Sequence, residues 1–298
     1  MIVRRHVALL ATVIALGLLP MRMSLSEAAT GQREQPVQPS LRGFAATPDV
    51  TMRIYVPAGR IRLVTWSRDS VAVSGTTGAN ASMFGGGSRT HVKFGVEPRA
   101  TGDSTLPRAD LTITIPRAAR VWIKMIDGEI DARGTTGELE VYVVRGRIAV
   151  RDVGGVTVLE SIDAPVEVVG ASGDLRVRGS KGAVTLDMVR GTTSVATVSG
   201  QVALSNFSAD GRVETIGGDV SFAGGSLRGA QLDIQTHSGA ITLGLIAAQS
   251  PVLDLSSRAG AIDLPKLVQS AAHGRITARS FKGRIVVRTS APVAKPAR

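Results

Sequence analysis

Short runs in which apolar and polar residues alternate occupy most of the chain from residue 51 onwards. Each run is rich in β-branched residues and bounded by Gly or Pro, which is typical of a β-strand. The runs before residue 127 cover residues 52–56, 60–66, 71–74, 91–96, 111–115 and 121–126. Residues 75–89, which include three consecutive glycines, are expected to form a loop. No segment after residue 28 has a sustained helical period, so the pattern predicts an all-β protein.

From Gly128 the pattern becomes a repeat of a small residue, any residue, an aliphatic, a polar or small residue, and a second aliphatic. The first aliphatic recurs every 18 residues, at Ile130, Ile148, Val166, Val184, Val202 and Val220. A second series lies about midway between these, at Leu139, Val156, Leu175, Val195, Val213 and Leu232. Beyond Val220 the period lengthens through Ile241 and Ile262 to Ile285, which suggests inserted loops. A fixed period of this length indicates a repeat architecture.

Alternation along each strand separates inward from outward side chains. The inward set is expected to comprise Ile130, Ala132, Leu175, Val177, Val184, Leu186, Ile241, Leu243, Ile262 and Leu264. The outward positions 131, 149, 167, 185, 203 and 221 hold Asp, Ala, Glu, Thr, Ala and Ser. That row lacks the clustered Asp or Lys residues that a polysaccharide-active enzyme on a β-helix would need.

Two architectures fit the repeat. In a β-solenoid, equivalent residues of successive coils stack about 4.8 Å apart and form internal ladders. In an antiparallel β-sandwich, hairpins would pair neighbouring strands about nine residues apart. Stacking in register requires a constant 18-residue spacing, whereas a sandwich does not. We therefore predict a right-handed parallel β-solenoid, or β-helix, with about two short strands per 18-residue coil, and keep the sandwich as the alternative.

The two ends of the chain differ from the repeats. Arg4 and Arg5 precede an apolar stretch, residues 7–19, that is shorter than the ~20 residues of a spanning helix. Small residues follow at positions 26 and 28, as a signal peptidase requires. The sequence thus predicts a signal peptide (1–28), a disordered leader (29–48), an irregular β-strand cap that opens the sheet (49–126), solenoid repeats (127–290) and a disordered tail (291–298). It predicts export to the periplasm or the extracellular cell surface, with no transmembrane helix after cleavage.

Positive charge is concentrated near the C-terminus. The formal net charge is +11, and eight basic residues but no acidic one follow Asp263. Arg275 and Arg279 are expected to face outwards from one strand, and Arg284 and Arg288 from the next. These four arginines form a candidate patch for an anionic envelope component, which is lipopolysaccharide, an acidic polysaccharide or a protein. Alternatively, they protect the edge of a final coil against end-to-end stacking.

The sequence offers few groups for catalysis or cofactor binding. It contains no Cys, which excludes disulfides, thiolate nucleophiles and iron–sulfur ligation. Only 3% of residues are aromatic, which leaves little material for stacking on nucleic-acid bases. His91, His237 and His273 show no metal-ligand spacing. We predict no catalytic residue, no metal, no cofactor and no nucleic-acid partner.

Two further groups have both a structural and a functional interpretation. Asp127, Glu129 and Asp131 alternate along one strand and could hold calcium, but a plain polar outer face at the first repeat is the favoured interpretation. Trp66 and Trp122 each lie in an alternating strand, where packing in the core or cap is expected rather than ligand stacking.

The segment Ile113-Thr114-Ile115-Pro116, followed by residues 121–126 and 128–130, resembles the bacterial "putative adhesin" domain-of-unknown-function family, which is related to head-GIN adhesin domains. Residues 57–63, with Trp66, resemble the opening hairpin of that family. The resemblance covers residues 50–290. It implies a β-helix-like fold and a location outside the cytoplasm, and it supplies no catalytic residues.

Together these features favour a non-enzymatic cell-envelope β-solenoid protein that acts as a binding, adhesion-like or scaffolding module. One alternative is a polysaccharide-active enzyme on a β-helix. The other is a self-assembling envelope filament, and the sequence leaves the oligomeric state open.

Overall fold

The computed structural model describes residues 38–290 except residues 101, 103, 225 and 226. The described chain forms 23 strands and two short 3₁₀ helices, Ala247–Gln249 and Ala271–His273. The strands are β1 (Gln38–Ala45), β2 (Thr51–Tyr55), β3 (Ala58–Trp66), β4 (Ser70–Thr77), β5 (Ala81–Gly87), β6 (His91–Pro98), β7 (Arg108–Pro116), β8 (Arg120–Arg133), β9 (Glu138–Arg151), β10 (Val156–Asp163), β11 (Val166–Val169), β12 (Ser172–Arg178), β13 (Val184–Asp187), β14 (Arg190–Thr197), β15 (Val202–Ser205), β16 (Ser208–Thr215), β17 (Val220–Ala223), β18 (Gln231–Thr236), β19 (Ile241–Ile246), β20 (Val252–Ser257), β21 (Ile262–Asp263), β22 (Arg275–Ser280) and β23 (Ile285–Ser290). The predicted signal peptide and tail lie outside the described residues. Neither described helix is long and apolar enough to cross a membrane.

Most strands belong to two parallel walls that enclose one aliphatic core. Wall A runs in the order β6, β2, the first half of β8, the first half of β9, β10, β12, β14, β16, β18, β22 and β20. Wall B runs in the order β7, β3, the second halves of β8 and β9, β11, β13, β15, β17, β19, β23 and β21. Each coil gives one strand to each wall, so eleven coils stack over about 48 Å in the described chain. The all-β parallel solenoid is confirmed.

The predicted 18-residue ladder forms on wall B. Ile130, Ile148, Val166, Val184, Val202 and Val220 are register partners in successive coils. None of these six side chains is more than 1% exposed. Positions 131, 149, 167, 185, 203 and 221 form the predicted outer row in the same register. β-Branched aliphatic side chains therefore stack on one another along the whole repeat, and the constant spacing follows from that stacking.

The second series was partly wrong, because it mixed two positions of the strand. Leu139 pairs with Thr157 rather than Val156, and Leu175 pairs with Thr193 rather than Val195. Val156 lies one residue before the inward position, so its side chain points outwards and is 37% exposed. The continuous inward ladder of wall A is instead Val141, Leu159, Val177, Val195, Val213 and Ile234.

Glycines at the corner between the walls are stacked backbone against backbone. A methyl group added to Gly146, Gly200, Gly218 or Gly239 would overlap the carbonyl oxygen of the small residue one coil away. For Gly200 that oxygen belongs to Gly182, and Gly200 does not need a positive φ. At Gly200, Gly218 and Gly239, close approach of two main chains rather than backbone conformation is therefore what requires glycine.

A buried hydroxyl three residues before the corner glycine fixes the turn. The amide N–H of Gly218 donates to Thr215 Oγ1 at 2.9 Å, and that of Gly239 donates to Thr236 Oγ1 at 2.9 Å. The same bond joins Gly260 to Ser257 at 2.9 Å and Gly283 to Ser280 at 2.7 Å. The sequence motif is a hydroxyl residue, two residues of any type and Gly. It satisfies a main-chain donor that the corner would otherwise leave buried and unpaired.

The coils do not stack in chain order at either end. Coil β22–β23 lies between coils β18–β19 and β20–β21, so it is not the final coil. At the other end, coil β2–β3 lies between coil β6–β7 and β8. Ile262 pairs with the buried Ile285 and so keeps the predicted inward orientation, which Leu264 shares by alternation, but neither side chain is covered. β21 pairs with β23 alone, so the inside of the last coil is left open, and these side chains are 39% and 48% exposed.

The N-terminal boundaries also differ from the predicted ones. Residues 38–45, assigned to a disordered leader, form β1, which pairs antiparallel with β4. Residues 81–87 of the predicted loop form β5, which pairs antiparallel with β6. The predicted division at residue 127 falls inside the continuous strand β8. The cap therefore consists of antiparallel β1, β4 and β5, while β2–β3 and β6–β7 already belong to the solenoid.

Gly200→Ala tests the glycine column. The added methyl group must displace the main chain of the neighbouring coil, so we expect the free energy of unfolding to fall by about 1–3 kcal/mol. Gly86→Ala is the control, because a methyl group there meets nothing within 4 Å. Thermal or denaturant unfolding of both variants measures the effect. Equal stability of the two variants would contradict the close-contact interpretation.

Thr215→Val and Thr193→Val form a second test. Thr215 Oγ1 accepts the Gly218 amide, whereas Thr193 Oγ1 is buried without a partner. Replacement by Val keeps the shape of the side chain and removes the hydroxyl. We expect Thr215→Val to destabilise the protein by about 1–3 kcal/mol and Thr193→Val to be neutral or stabilising. Denaturant unfolding should therefore show Thr215→Val to be less stable than the native chain, and Thr193→Val to be at least as stable as it.

Candidate functional site

A groove of about 560 Å³ lies on the outer face of wall A, across β2, β8 and β9. Two rows of register partners line it. Thr51, Arg120 and Glu138 form the first row, and Arg53, Trp122 and Glu140 form the second. Because stacked strands place equivalent side chains one coil apart, the groove crosses the strands and follows the axis of the solenoid.

Three charged side chains of this groove have no partner in the described part of the chain. Arg53, Arg120 and Glu138 are exposed and make no side-chain hydrogen bond or ion pair there. Arg120 and Glu138 are neighbours in the register, yet they do not form an ion pair. Guanidinium and carboxylate groups left in this state are available to a ligand as donors and acceptors.

An aromatic side chain forms part of the groove. Trp122 points outwards and is partly exposed, and its Nε1–H donates to Glu140 Oε1 at 3.2 Å. This bond fixes the indole beside the two arginines. In the next row of the same wall, Lys124 Nζ lies 5.5 Å from the ring centroid of Tyr142. The expectation that Trp122 packs in the core or cap was wrong, because position 122 is in phase with the outward residues of β8.

Three carboxylates of wall B lie beside arginines. Arg60 pairs with Glu129 at 3.0 Å, Arg145 with Asp127 at 3.6 Å and Arg151 with Asp131 at 3.7 Å. The three carboxylates considered for calcium thus each lie beside an arginine. No group of three or more potential metal ligands occurs among the described residues.

Glu167 is the centre of this network. It contacts Arg147 and accepts from Arg151 Nη2 at 3.0 Å. The hydrogen bond from Arg147 is the main reason that the pKa of Glu167 is lowered, and the charge of Arg151 adds to it. On the same wall, hydrogen bonds from Asn206 and Ser205 lower the pKa of Asp187. Because Glu167 and Asp187 already accept hydrogen bonds within the protein, their carboxylates are less available to a ligand than that of Glu138 on wall A.

The four candidate arginines near the C-terminus are divided between the two walls. Arg275 and Arg279 belong to β22 on wall A, whereas Arg288 belongs to β23 on wall B and Arg284 directly precedes it. Arg279 lies 3.7 Å from Asp254, and Arg284 pairs with Asp263. Arg275 and Arg288 have no side-chain partner among the residues that the structure describes. The role of these four as an anionic-ligand site stays a prediction.

The three histidines lie in different coils. His91 belongs to β6, where its Nδ1 lies 3.0 Å from Thr90 Oγ1. His237 stacks on Phe281 with ring centroids 4.9 Å apart. The Arg258 guanidinium lies 5.3 Å from the centroid of the Phe281 ring. His273 ends the second 3₁₀ helix. The structure does not bring them together.

A family model matches residues 40–289 of the chain, which is nearly all of the described fold. The chain belongs to the Toastrack DUF4097 family. This confirms the resemblance to a bacterial domain-of-unknown-function family of adhesin-like proteins. No curated protein matches this Toastrack chain.

Two solved structures are similar to the Toastrack chain. A "putative cell adhesion protein" from Clostridium sporogenes is 8% identical, with 86% of this chain and 100% of that chain covered and a TM-score of 0.27. A "putative adhesin" from Bacteroides fragilis is 11% identical, with 85% of this chain and 97% of that chain covered and a TM-score of 0.47.

Glu167→Gln should make stability depend on pH in a defined direction. The lowered pKa means that the folded state favours the carboxylate, so its contribution is present above the ordinary value of 4.5 and is lost as pH falls through the lowered pKa. We expect the variant to be less stable than the native chain at pH 7. Thermal unfolding between pH 7 and pH 3 should show the difference shrinking towards the acid end, and a constant difference would contradict the assignment.

Proposed function

We propose that this Toastrack protein is an exported, non-enzymatic binding module of the cell envelope, adhesion-like or scaffolding in role, and that the groove on wall A is its ligand site. The N-terminal sequence supports export, and the rigid solenoid supports a role as a platform. The observation that carries the proposal is the contrast between the groove and three carboxylates of wall B. Arg53, Arg120 and Glu138 have no partner in the described chain and lie beside Trp122, whereas Asp127, Glu129 and Asp131 each lie beside an arginine.

The composition of the groove indicates the kind of ligand. Two guanidinium and two carboxylate groups line it, so the lining has no net charge. Alternating donors and acceptors beside an indole suit a ligand rich in hydroxyl groups, because such a ligand both donates and accepts hydrogen bonds and has apolar C–H faces. We propose an envelope glycan with little net charge as the ligand of the groove.

The arginines of β22 and β23 support a second candidate site. Arg275 and Arg288 have no partner in the described chain, and the segment after Asp263 is basic. An anionic envelope component, such as lipopolysaccharide or an acidic polysaccharide, would be attracted to this end by charge. Since the two unpaired arginines lie on different walls, such a component would need to reach around the coil.

Binding assays with matched variants separate the two sites. We expect Arg53→Ala/Arg120→Ala and Trp122→Ala to reduce binding of neutral envelope glycans by at least about tenfold, since each removes more than ~1.4 kcal/mol of contact energy. Arg62→Ala/Arg133→Ala is the control, because it removes two exposed arginines from wall B in the same two coils. Isothermal titration with neutral glycan fragments, lipopolysaccharide and alginate provides the measurement.

The outcomes point to different conclusions. Loss of lipopolysaccharide or alginate binding only when Arg275, Arg279, Arg284 and Arg288 are changed to Glu would favour the second site over the groove. Equal effects of the groove and control variants would contradict the groove. Release of reducing ends from any of the glycans by the native chain would contradict the non-enzymatic proposal and favour the polysaccharide-active enzyme.

A further inference from the structure

Exposed apolar side chains line part of the corner where the chain passes from wall A to wall B. In the six successive coils from β10–β11 to β22–β23, the position directly after the corner hydroxyl or its equivalent holds the residues that we call the corner ridge: Ile162, Ser180, Val198, Ile216, His237 and Phe281. In the coils on either side, Val144 and Arg258 hold the same position. The ridge is continuous, because main-chain hydrogen bonds join each coil to the next. The Lys181 amide donates to Ile162 O at 3.0 Å, and the Lys282 amide donates to His237 O at 2.8 Å.

The apolar members of the ridge are unusually accessible for their type. Ile162 is 45% exposed, Val198 48%, Ile216 58% and Phe281 39%. Single exposed apolar residues need no explanation, but four of them in one column within six successive coils indicate an interaction surface.

The ridge is symmetric about its midpoint. From Ile162 to Phe281 it runs apolar, polar, apolar, apolar, polar, apolar, with the midpoint between Val198 and Ile216. A twofold axis through that midpoint, perpendicular to the ridge, would place Val198 against Ile216 of a second copy. The same axis would place Ser180 against His237 and Ile162 against Phe281. A twofold interface requires this kind of self-complementary surface.

The charges beside the ridge fit the same arrangement. With antiparallel ridges, Asp163 meets Lys282 of the second copy on the side of wall B, and Glu160 meets Arg279 on the side of wall A. Arg178 then faces Gln235, and Lys181 faces Ser238. No pair of like charges meets along these two flanking rows, whose register is set by the corner hydrogen bonds and by the pairing of wall A.

The alternative arrangements are less favourable. Parallel ridges would bring each wall against the opposite wall of the other copy, so that Glu160 meets Asp163, Arg178 meets Lys181 and Arg279 meets Lys282. Like charges in contact disfavour that complex. A flat anionic membrane would meet the carboxylates of Glu160 and Asp163 together with the basic residues. We propose that the corner ridge is an antiparallel homodimer interface, formed by two copies of this chain about a twofold axis between Val198 and Ile216.

Charge exchange tests the orientation of the two copies. Asp163 and Lys282 are exposed and have no side-chain partner in the described chain, and within one chain they lie five coils apart. Asp163→Lys or Lys282→Asp alone places like charges together and should weaken dimerisation by about tenfold, while the double variant should restore it. Sedimentation of the full chain over a range of concentrations measures the dissociation constant. A double variant no better than either single variant would overturn the antiparallel arrangement.

Cross-linking tests the contact itself, because the native chain has no cysteine. Ile162→Cys/Phe281→Cys introduces two thiols that lie about 24 Å apart within one chain, so a disulfide between them must join two chains. Oxidation should give a covalent dimer. Thr185→Cys/Val286→Cys on the outer face of wall B is the control, and equal cross-linking of the control would overturn the proposal.

Ile216→Asp separates the possible occupants of the ridge. The side chain is exposed, so the variant should fold with native thermal stability yet sediment as a monomer. A native chain that is monomeric at high concentration would overturn the proposal. If that monomer bound phosphatidylglycerol vesicles, and Ile216→Asp abolished the binding, the ridge would be a membrane surface instead. An unchanged dimer in Ile216→Asp would place the interface elsewhere on the protein.

Discussion

The contact on which the whole structure depends is the stacking of one main chain on another at the corner between the walls. Successive coils approach so closely there that Gly182, Gly200 and Gly218 leave no room for a Cβ atom. Once two corners are in contact, the strands on either side can pair only in one register. The buried hydroxyls at Thr215 and Thr236 then close the turn by accepting the corner amides. The 18-residue period is thus the length of chain that returns to the same corner, and the aliphatic ladders follow from it.

The same register organises the outside of the molecule. Equivalent positions of successive coils form a column of side chains along the axis of the solenoid. Functional groups on the surface are therefore arranged in rows rather than singly. Two neighbouring columns form the groove, in which Arg53, Arg120 and Glu138 have no partner in the described chain. A column on the other wall joins Arg60 to Glu129, and the two charges cancel. A solenoid can therefore present a binding surface without any loop that is specialised for the purpose.

The sequence predicted correctly those features that depend on a constant number of residues per coil. Its predictions failed where that number changes. The ladder from Ile130 to Val220 was correct because each coil there has the same length. Val156 was misplaced because an error of one residue moves a side chain to the opposite face of a strand. The groove was missed because it joins residue 53 to residue 122, across a segment that contains another coil and two cap strands. The available signal was the similarity between residues 59–63 and the repeat unit at 128–132, which marks the same coil position in both segments.

The sequence pattern could not predict the order in which the coils stack, because apolar and polar residues alternate in β20–β21 as they do in β22–β23. The observed order has a physical advantage. In a solenoid whose coils follow chain order, the last coil is held by the chain on one side only and frays like a free terminus. Here the outermost coils, β6–β7 and β20–β21, are both internal in the sequence, and the chain anchors each of them to inner coils on both sides. An end coil that detaches must therefore open as a closed loop, which gains less conformational entropy than a free end. The exchange of coil order thus limits fraying by connectivity, above all at β20–β21, because β6–β7 is also covered by the cap strands β4 and β5.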